Sequence, residues 1–197
     1  MSTTFLPKFR RFLRITEGTA PPDDRISSIL SGISFHWVMN MKKQWKTYLF
    51  WIGLSVGTGA LAAFLTRSGV SLYNATAVKP SLSPPAILFP IVWTVLYVLM
   101  GIGAARIFLS EPGKTRSAGL NVFIAQLTVN FFWSLLFFNA QAYGFAFAWI
   151  LLLWVLILAM ILIFRRVDPI AAYLQIPYLL WVSFAAYLNW AVWQMNM

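Results

Sequence analysis

The stretch "SAGLNVFIAQLTVNFFWSLLFFNAQAYGFAFAWILLLWVLILAMILIF", residues 117–164, carries no charged side chain. A helix needs about 20 apolar residues to cross the hydrocarbon core of a membrane, so this run is too long for one crossing and long enough for two. A polar segment that contains a glycine, residues 139–144, divides the run near its middle. The stretch therefore predicts two membrane helices joined by a tight turn.

The rest of the chain has the same character. Hydrophobic residues make up 60% of the sequence and charged residues only 10%, and the mean hydropathy is +0.73. A water-soluble domain of this size needs more charge on its surface. Further charge-free windows cover residues 47–66, 80–105 and 169–197. The sequence therefore predicts an all-α membrane protein, a bundle of five transmembrane helices near residues 48–66, 86–108, 119–138, 144–164 and 171–193.

The basic residues predict the orientation of these helices. With five spans, the N-terminal segment and the second and fourth loops lie on one side of the membrane. Of the 15 lysines and arginines, only Arg67 and Lys79 lie on the other side. Because basic loops stay in the cytoplasm, we expect a cytoplasmic N-terminus, with the C-terminus and the first loop outside a bacterial inner membrane. The net charge of +10 thus indicates membrane lipids as partners, and no nucleic acid is expected.

The ionisable residues narrow the chemistry. The chain has no cysteine, one histidine and five carboxylates, so no disulfide and no standard metal centre are expected. Apart from Arg106 near the end of the second span, no ionisable residue other than tyrosine lies inside a predicted span. Ion-coupled carriers usually place such a residue near the middle of the membrane, so active transport is disfavoured. No obligatory cofactor is expected.

The first 44 residues are predicted to be separate from the transmembrane domain, residues 45–197. They form a basic tail that is disordered, or they result from a misassigned start, because Met41 directly precedes the hydrophilic start of the first span. Within that span Gly53 and Gly57 form a GxxxG pair, which permits close helix packing. We expect this pair to pack inside the bundle in preference to forming a seam between two copies.

Three predicted spans carry aromatic and amide side chains at helical spacing, so that each set shares one face. Amides that face lipid are costly, and the faces should therefore point into the bundle. They either hydrogen-bond between helices and fill the core, or line a cavity for a large, flat, apolar ligand. The residues are Trp93 and Tyr97 in the second span, Gln126, Asn130, Trp133 and Ser134 in the third, and Tyr178, Trp181, Ala185 and Asn189 in the fifth.

Three motifs resemble the TspO/translocator protein family of tryptophan-rich membrane proteins, also called peripheral benzodiazepine receptors. The first is "KPSLSPPAILFPIVWTVLYVLMG", residues 79–101, with its Lys-Pro-Ser, Pro-Pro, tryptophan, Leu-Tyr and Met-Gly positions. The second is "QLTVNFFWSLLFF", residues 126–138, and the third is "PYLLWVSFAAYLNWAVWQMN", residues 177–196. The matches keep the family's order and spacing over about residues 45–196.

The resemblance implies a five-helix bundle whose first loop is a proline-rich lid. It implies an integral membrane receptor or regulator that binds a tetrapyrrole, such as protoporphyrin IX or haem, as a ligand, and it implies a homodimer. A passive porphyrin transporter is one alternative. The other is an enzyme that degrades porphyrin in light, with Trp93 and Trp181 as the redox-active pair.

By the same resemblance, the site residues can be named. Proline has no amide hydrogen and a fixed φ, and it therefore suits a rigid lid at the membrane surface. We also expect Pro84 and Pro85 to lie where the second span starts. The implied pocket is Trp93, Asn130, Trp181 and Ala185, with Tyr97, Trp133, Tyr178, Phe184 and Asn189 as neighbours, and the implied lid residues are Tyr73, Lys79, Pro80, Pro84 and Pro85.

The sequence departs from the family in two places. Leu82 and Ile87 stand in the lid where the family often has aromatic residues. Trp190 and Gln194 stand where the cholesterol pattern of animal members needs a tyrosine and a basic residue. Cholesterol is therefore not expected as the ligand.

Overall fold

A computed structural model describes the backbone of residues 22–197 and the side chains of residues 44–197. The chain divides into two units, Met1–Lys43 and Gln44–Met197. In the first unit the backbone is helical from Pro22 onwards. The prediction of a separate basic tail over residues 1–44 stays a prediction, and its first 21 residues lie outside the described part of the chain.

Every regular element in the described residues is helical, as the sequence predicts for an all-α protein. The helix α4 continues directly into one turn of π-helix, Leu135–Asn139. The elements are α1 (Pro22–Leu65), α2 (Arg67–Thr76), α3 (Leu88–Leu109), α4 (Lys114–Ser134), α5 (Tyr143–Val167), α6 (Pro169–Tyr173) and α7 (Ile176–Met195).

Five helical segments of the described chain are long and apolar enough to cross a membrane, which confirms the predicted number of spans. Each one overlaps the span predicted for it, and the turn predicted at residues 139–144 separates the third from the fourth. The segments are Gln44–Leu65, Leu88–Leu109, Lys114–Asn139, Tyr143–Val167 and Pro169–Met195.

The last span is broken, whereas the sequence analysis treated it as one helix over residues 171–193. Helix α6 ends at Tyr173 and α7 begins at Ile176. Pro177 explains the break, because proline cannot donate the hydrogen bond that would continue the helix back to the carbonyl of Tyr173. Asp168 caps the short helix by accepting hydrogen bonds from the backbone N–H groups of Ile170 and Ala171, at 2.9 and 3.3 Å.

The second span begins later than Pro84 and Pro85 predict. Helix α3 starts at Leu88, and its first turn contains Pro90. The N–H of Leu88 donates to the carbonyl of Pro85 at 2.9 Å, so a turn that begins at Pro85 precedes the helix. The expected place of the Pro-Pro pair in the first helical turn is wrong, because the turn at residues 85–88 lies between the pair and the helix.

The core lies between the helices and is filled by fully buried apolar side chains such as Met100, Phe123, Ile157 and Val182. Helices α4 and α5 form an antiparallel hairpin, and α7 packs against α5. Trp51 attaches α1 to this core, because its ring centroid lies 5.6 Å from that of Phe123. The core thus holds side chains from all five spans in contact.

The expectation that Gly53 and Gly57 pack inside the bundle is wrong. A Cβ atom added to either residue would have no neighbour within 4 Å. The reason is the periodicity of α1, whose inward face carries one residue per turn that packs against the other helices. Residues at positions 53 and 57 lie on the opposite face. The inward face consists of Trp51, Ser55, Gly59 and Ala62.

Other glycines make the close helix contacts. A Cβ on Gly101 of α3 would collide with the backbone Cα of Ile52 in α1. A Cβ on Gly59 would collide with the ring of Tyr97. Glycine at these two positions therefore sets how closely the first and second spans approach each other.

We expect the change Gly101→Ala to destabilise the bundle, since the new methyl group meets backbone, which cannot move away cheaply. The cost of such overpacking is about 1–3 kcal/mol. Gly53→Ala is the matched control, because it makes the same change in helix propensity where space is open. Thermal unfolding of the two variants in detergent should give a lower midpoint for the first only. Equal midpoints would contradict the packing described for α1 and α3.

Candidate functional site

A chain of side-chain hydrogen bonds crosses the centre of the bundle. The hydroxyl of Tyr97 donates to Asn130 Oδ1 at 3.1 Å, and Asn130 Nδ2 donates to the hydroxyl of Tyr178 at 2.6 Å. That hydroxyl in turn donates to Gln126 Oε1 at 2.9 Å. Asn130 is only 1% exposed, so these groups have no water to bond with. The network joins α3, α4 and α7 through polar groups that satisfy one another.

Trp93 lies against this network. Its ring centroid is 5.5 Å from that of Tyr97 and 6.1 Å from that of Tyr178. The tilt between the rings is 32° and 67°, respectively. Gly59 of α1 allows the Tyr97 ring to approach closely on another side. Three of the predicted pocket aromatics are thus brought into one cluster, in which the hydrogen-bonded hydroxyls fix the two tyrosine rings.

A second polar contact joins α4, α5 and α7. Trp133 Nε1 donates to Asn189 Oδ1 at 3.1 Å, and Asn189 Nδ2 donates to the backbone carbonyl of Tyr143 at 2.8 Å. The Trp133 ring is stacked on Phe137, with centroids 5.4 Å apart and planes inclined by 28°. The π-helical turn at residues 135–139 places Phe137 in this stack. Trp133 and Asn189 therefore form a pair distinct from the Asn130 network.

Trp181 has a buried indole N–H without an acceptor in the described part of the chain. Its ring lies 5.8 Å from Phe89, at the start of α3, and 5.7 Å from Phe184. Ala185, one turn further along α7, is buried and adds little bulk. A buried donor left unpaired costs about 1–3 kcal/mol. Trp181 thus presents an unused hydrogen-bond donor within an aromatic surface.

The segment predicted to form a lid begins with α2, which packs against the π-helical turn. Tyr73 contacts three aromatic rings there, Phe137, Phe138 and Tyr143, at centroid distances of 5.4, 5.6 and 6.4 Å. Burial, and secondarily the neighbouring Tyr143, raise the pKa of Tyr73 to about 12. The phenol is therefore neutral at physiological pH. The Lys79 ammonium, 5.1 Å from the Tyr73 ring centroid, makes a cation–π contact with it.

The remaining lid residues follow in an irregular segment between α2 and α3. Pro80 is buried, Pro84 is half-buried and Pro85 is exposed. Lys79 Nζ also donates to Asn74 Oδ1 at 2.8 Å. The predicted lid residues thus lie in one continuous segment that runs from α2 to the Trp181 side of the bundle, where α3 begins with Leu88 and Phe89.

The sequence analysis missed several residues of these clusters. Gln126 was recognised on the polar face of the third span but not counted in the pocket, although it completes the Asn130 network. Phe89 lies one turn before Trp93, and this spacing could have identified it. Tyr143 contributes a backbone carbonyl, which no side-chain pattern reveals. Phe184, which was predicted as a neighbour of the pocket, contacts the ring of Trp181. Among residues 44–197 this is its one contact with another aromatic ring.

The chemistry of the clustered groups suits an organic ligand. They are aromatic faces, amides, hydroxyls and one free indole N–H. In the described residues, no three His, Cys, Asp or Glu side chains come together as a metal site would require. Flat aromatic faces stack on planar ligands, and a few polar groups among them fix an orientation.

The comparison with known proteins agrees with the fold. The sequence profile of the TspO/MBR family matches residues 50–194. The Tryptophan-rich protein TspO of Chlorobaculum tepidum is 40% identical over 157 residues, 79% of this chain and 99% of that protein. Protein CrtK of Rhodobacter capsulatus is 36% identical over 119 residues, 60% of this chain and 74% of its own. The Translocator protein of Homo sapiens is 34% identical over 149 residues, which are 75% and 88% of the two chains.

The family resemblance stated from the three motifs is thereby confirmed. The matched region contains all five apolar helices at least in part, together with every residue of the clusters described above. This chain is an integral membrane protein and belongs to the TspO/MBR family.

Proposed function

We propose that this chain is a membrane receptor that binds a porphyrin, such as protoporphyrin IX or haem, among the aromatic side chains near Trp93, Tyr97 and Trp181. The porphyrin is a ligand in this proposal and not an obligatory cofactor. The other proposed partners are membrane lipids at the basic end of the bundle and a second copy of the chain. The Tryptophan-rich sensory protein of Cereibacter sphaeroides, 33% identical over 118 residues, has a name that is consistent with a receptor role.

The observation that carries this proposal is the buried, unpaired N–H of Trp181 within an aromatic surface. A large planar ring can stack on the indole face of Trp181 and meet the ring of Phe89, whose plane is inclined by 71° to the indole, in an edge-to-face contact. A carboxylate or carbonyl oxygen on the edge of that ring can accept from Trp181 Nε1 and remove the cost of the unpaired donor. Porphyrins combine a flat apolar ring with peripheral carboxylates, and they fit both requirements.

The Asn130 network supports the proposal in a different way from the one that the sequence suggests. Its amide and hydroxyl groups are already paired with one another, at 2.6 to 3.1 Å. They therefore serve to hold the rings of Tyr97 and Tyr178, and through them Trp93, in one arrangement. A ligand that stacks on rings held in advance loses less conformational entropy on binding.

We expect protoporphyrin IX to bind the purified full chain saturably in the dark. The changes Trp181→Ala and Asn130→Ala should each weaken binding by about 1–3 kcal/mol, because the first removes a stacking face and a donor and the second releases the two tyrosines. This corresponds to about 5- to 150-fold in Kd. The change in porphyrin absorbance is the suitable signal, since it does not depend on the number of tryptophans.

The matched controls are Trp190→Ala, on the exposed face of α7, and Asn121→Ala, on the exposed face of α4. Both should leave Kd within about twofold of the unmodified chain. If absorbance does not saturate, or if all four variants behave alike, the clusters are core packing and the proposed function is wrong.

The orientation belongs to the same proposal. Arg116 lies over the Phe108 ring at 4.9 Å, and the ion pair between Arg106 Nε and Asp168 Oδ2, 2.8 Å, joins the end of α3 to the turn before α6. Arg165 and Arg166 lie in the last turn of α5, two to three residues before Asp168. The positive-inside rule assigns this end to the cytoplasm and the lid to the opposite side of a bacterial inner membrane.

The absence of cysteine from the sequence allows a direct test of this orientation. In intact cells, a membrane-impermeant maleimide should label Ser81→Cys in the lid. It should label Gly113→Cys, between α3 and α4, only after the membrane is permeabilised. Both sites are exposed, so a difference in labelling reports the side of the membrane. The reverse pattern would contradict the proposed orientation.

A further inference from the structure

Asn196, just beyond the end of α7, binds the backbone of the lid at two atoms. The N–H of Val78 donates to Asn196 Oδ1 at 2.9 Å, and Asn196 Nδ2 donates to the carbonyl of Val78 at 3.0 Å. The two residues are 118 positions apart in the sequence. A single amide side chain thus satisfies both backbone groups of one residue, as a neighbouring strand would.

The amide of Asn196 is itself held in place. Its Nδ2 also donates to the carbonyl of Val192 at 2.7 Å, and its backbone N–H donates to the same carbonyl at 3.1 Å. The side chain is therefore attached to the last turn of α7, the helix that carries Trp181 and Asn189. Val78 is therefore linked through Asn196 to α7, the helix that contributes Trp181 to the proposed site.

The lid has few other means of attachment between α2 and α3. From residue 77 to residue 87, the described hydrogen bonds that reach beyond α2 and α3 are the two made by Asn196. Ala77 and Lys79 bond to Tyr73 and Asn74 of α2, and Pro80 is buried. The turn bonds of Ser83 and Leu88 are local. Leu82 and Ile87 are 61% and 70% exposed, and they contribute little burial. Prolines in this segment offer no N–H for further bonds.

Both ends of the segment adjoin the site. Before it, Tyr73 packs on Phe137, which stacks on Trp133. After it, Phe89 packs on Trp181. A displacement of the segment would therefore alter the packing of Tyr73 and Phe89 on the two aromatic clusters, and Val78 lies near the start of the segment.

We propose that Asn196 is a positioning residue that holds the lid closed, and that it sets the rate at which a ligand enters and leaves the site. The role of the lid as a barrier rests on the proposed porphyrin site. The attachment of the lid by Asn196 does not depend on which ligand binds. The two parts of the proposal can therefore be tested separately.

The first experiment measures the lid itself. A nitroxide on Ser81→Cys, the only cysteine in the full chain, reports the mobility of the lid by its electron paramagnetic resonance spectrum. Asn196→Ala should shift most of the signal to a mobile component, and Asn196→Asp should give an intermediate result, because it keeps the acceptor for Val78 N–H and loses the donor. Gln194→Ala, an exposed polar neighbour, is the control and should leave the spectrum unchanged.

The second experiment measures exchange of protoporphyrin IX in the dark. Loss of both hydrogen bonds should raise the association and dissociation rate constants together, each by about tenfold, while Kd changes by less than about threefold. Damage to the site itself would instead raise the dissociation rate and Kd in parallel. The ratio of the two rate constants thus separates a gate from a general loss of structure.

An immobile label in both Asn196 variants would overturn the attachment, whatever the ligand does. A mobile label with unchanged exchange rates, in a chain that binds protoporphyrin IX, would overturn the role of the lid as a barrier. If the unmodified chain does not bind protoporphyrin IX, the proposed function fails, and the spectra still decide whether Asn196 holds the lid.

Discussion

The rest of the structure depends on the requirement that polar groups inside a membrane find partners within the protein. Hydrocarbon offers no hydrogen bonds, so each buried amide or hydroxyl must be paired or costs free energy. The chain from Tyr97 through Asn130 and Tyr178 to Gln126 meets this requirement with three side-chain hydrogen bonds across three helices. These bonds specify which faces of α3, α4 and α7 meet, because a rotation of any of these helices would break them.

The same requirement distinguishes the paired polar groups of the aromatic clusters from the unpaired one. The polar groups of the Asn130 network and of the Trp133–Asn189 pair are hydrogen-bonded within the protein, and they hold the aromatic rings in place. Trp181 differs, because its indole N–H has no acceptor in the described chain. A buried donor without a partner calls for an explanation, and a ligand that accepts from Trp181 Nε1 would provide one. The segment bonded to Asn196 connects Tyr73, which packs on Phe137, to Phe89, which packs on Trp181.

Much of the fold could be predicted from the sequence. Charge-free windows and the turn at residues 139–144 predicted five spans. They could do so because the length and hydropathy of a single segment decide whether it can cross the hydrocarbon core as a helix. The helical spacing of Trp93 and Tyr97, and of Gln126 and Asn130, correctly indicated shared inward faces. Gly53 was predicted to face inward but faces outward. The GxxxG motif alone does not tell which face of a helix turns toward the bundle. The inward face of α1 is decided by the larger residues around Trp51.

The sequence by itself determined the membrane class, the number of spans, the family and the residue types available to a site. It could do so because these properties follow from composition, period and motif within single segments. Only the tertiary structure decided which polar groups pair, leaving Trp181 unpaired and attaching Val78 to Asn196. Such pairing depends on distances between segments far apart in the chain. The packing of whole helices sets these distances, and a pattern within one segment cannot predict them.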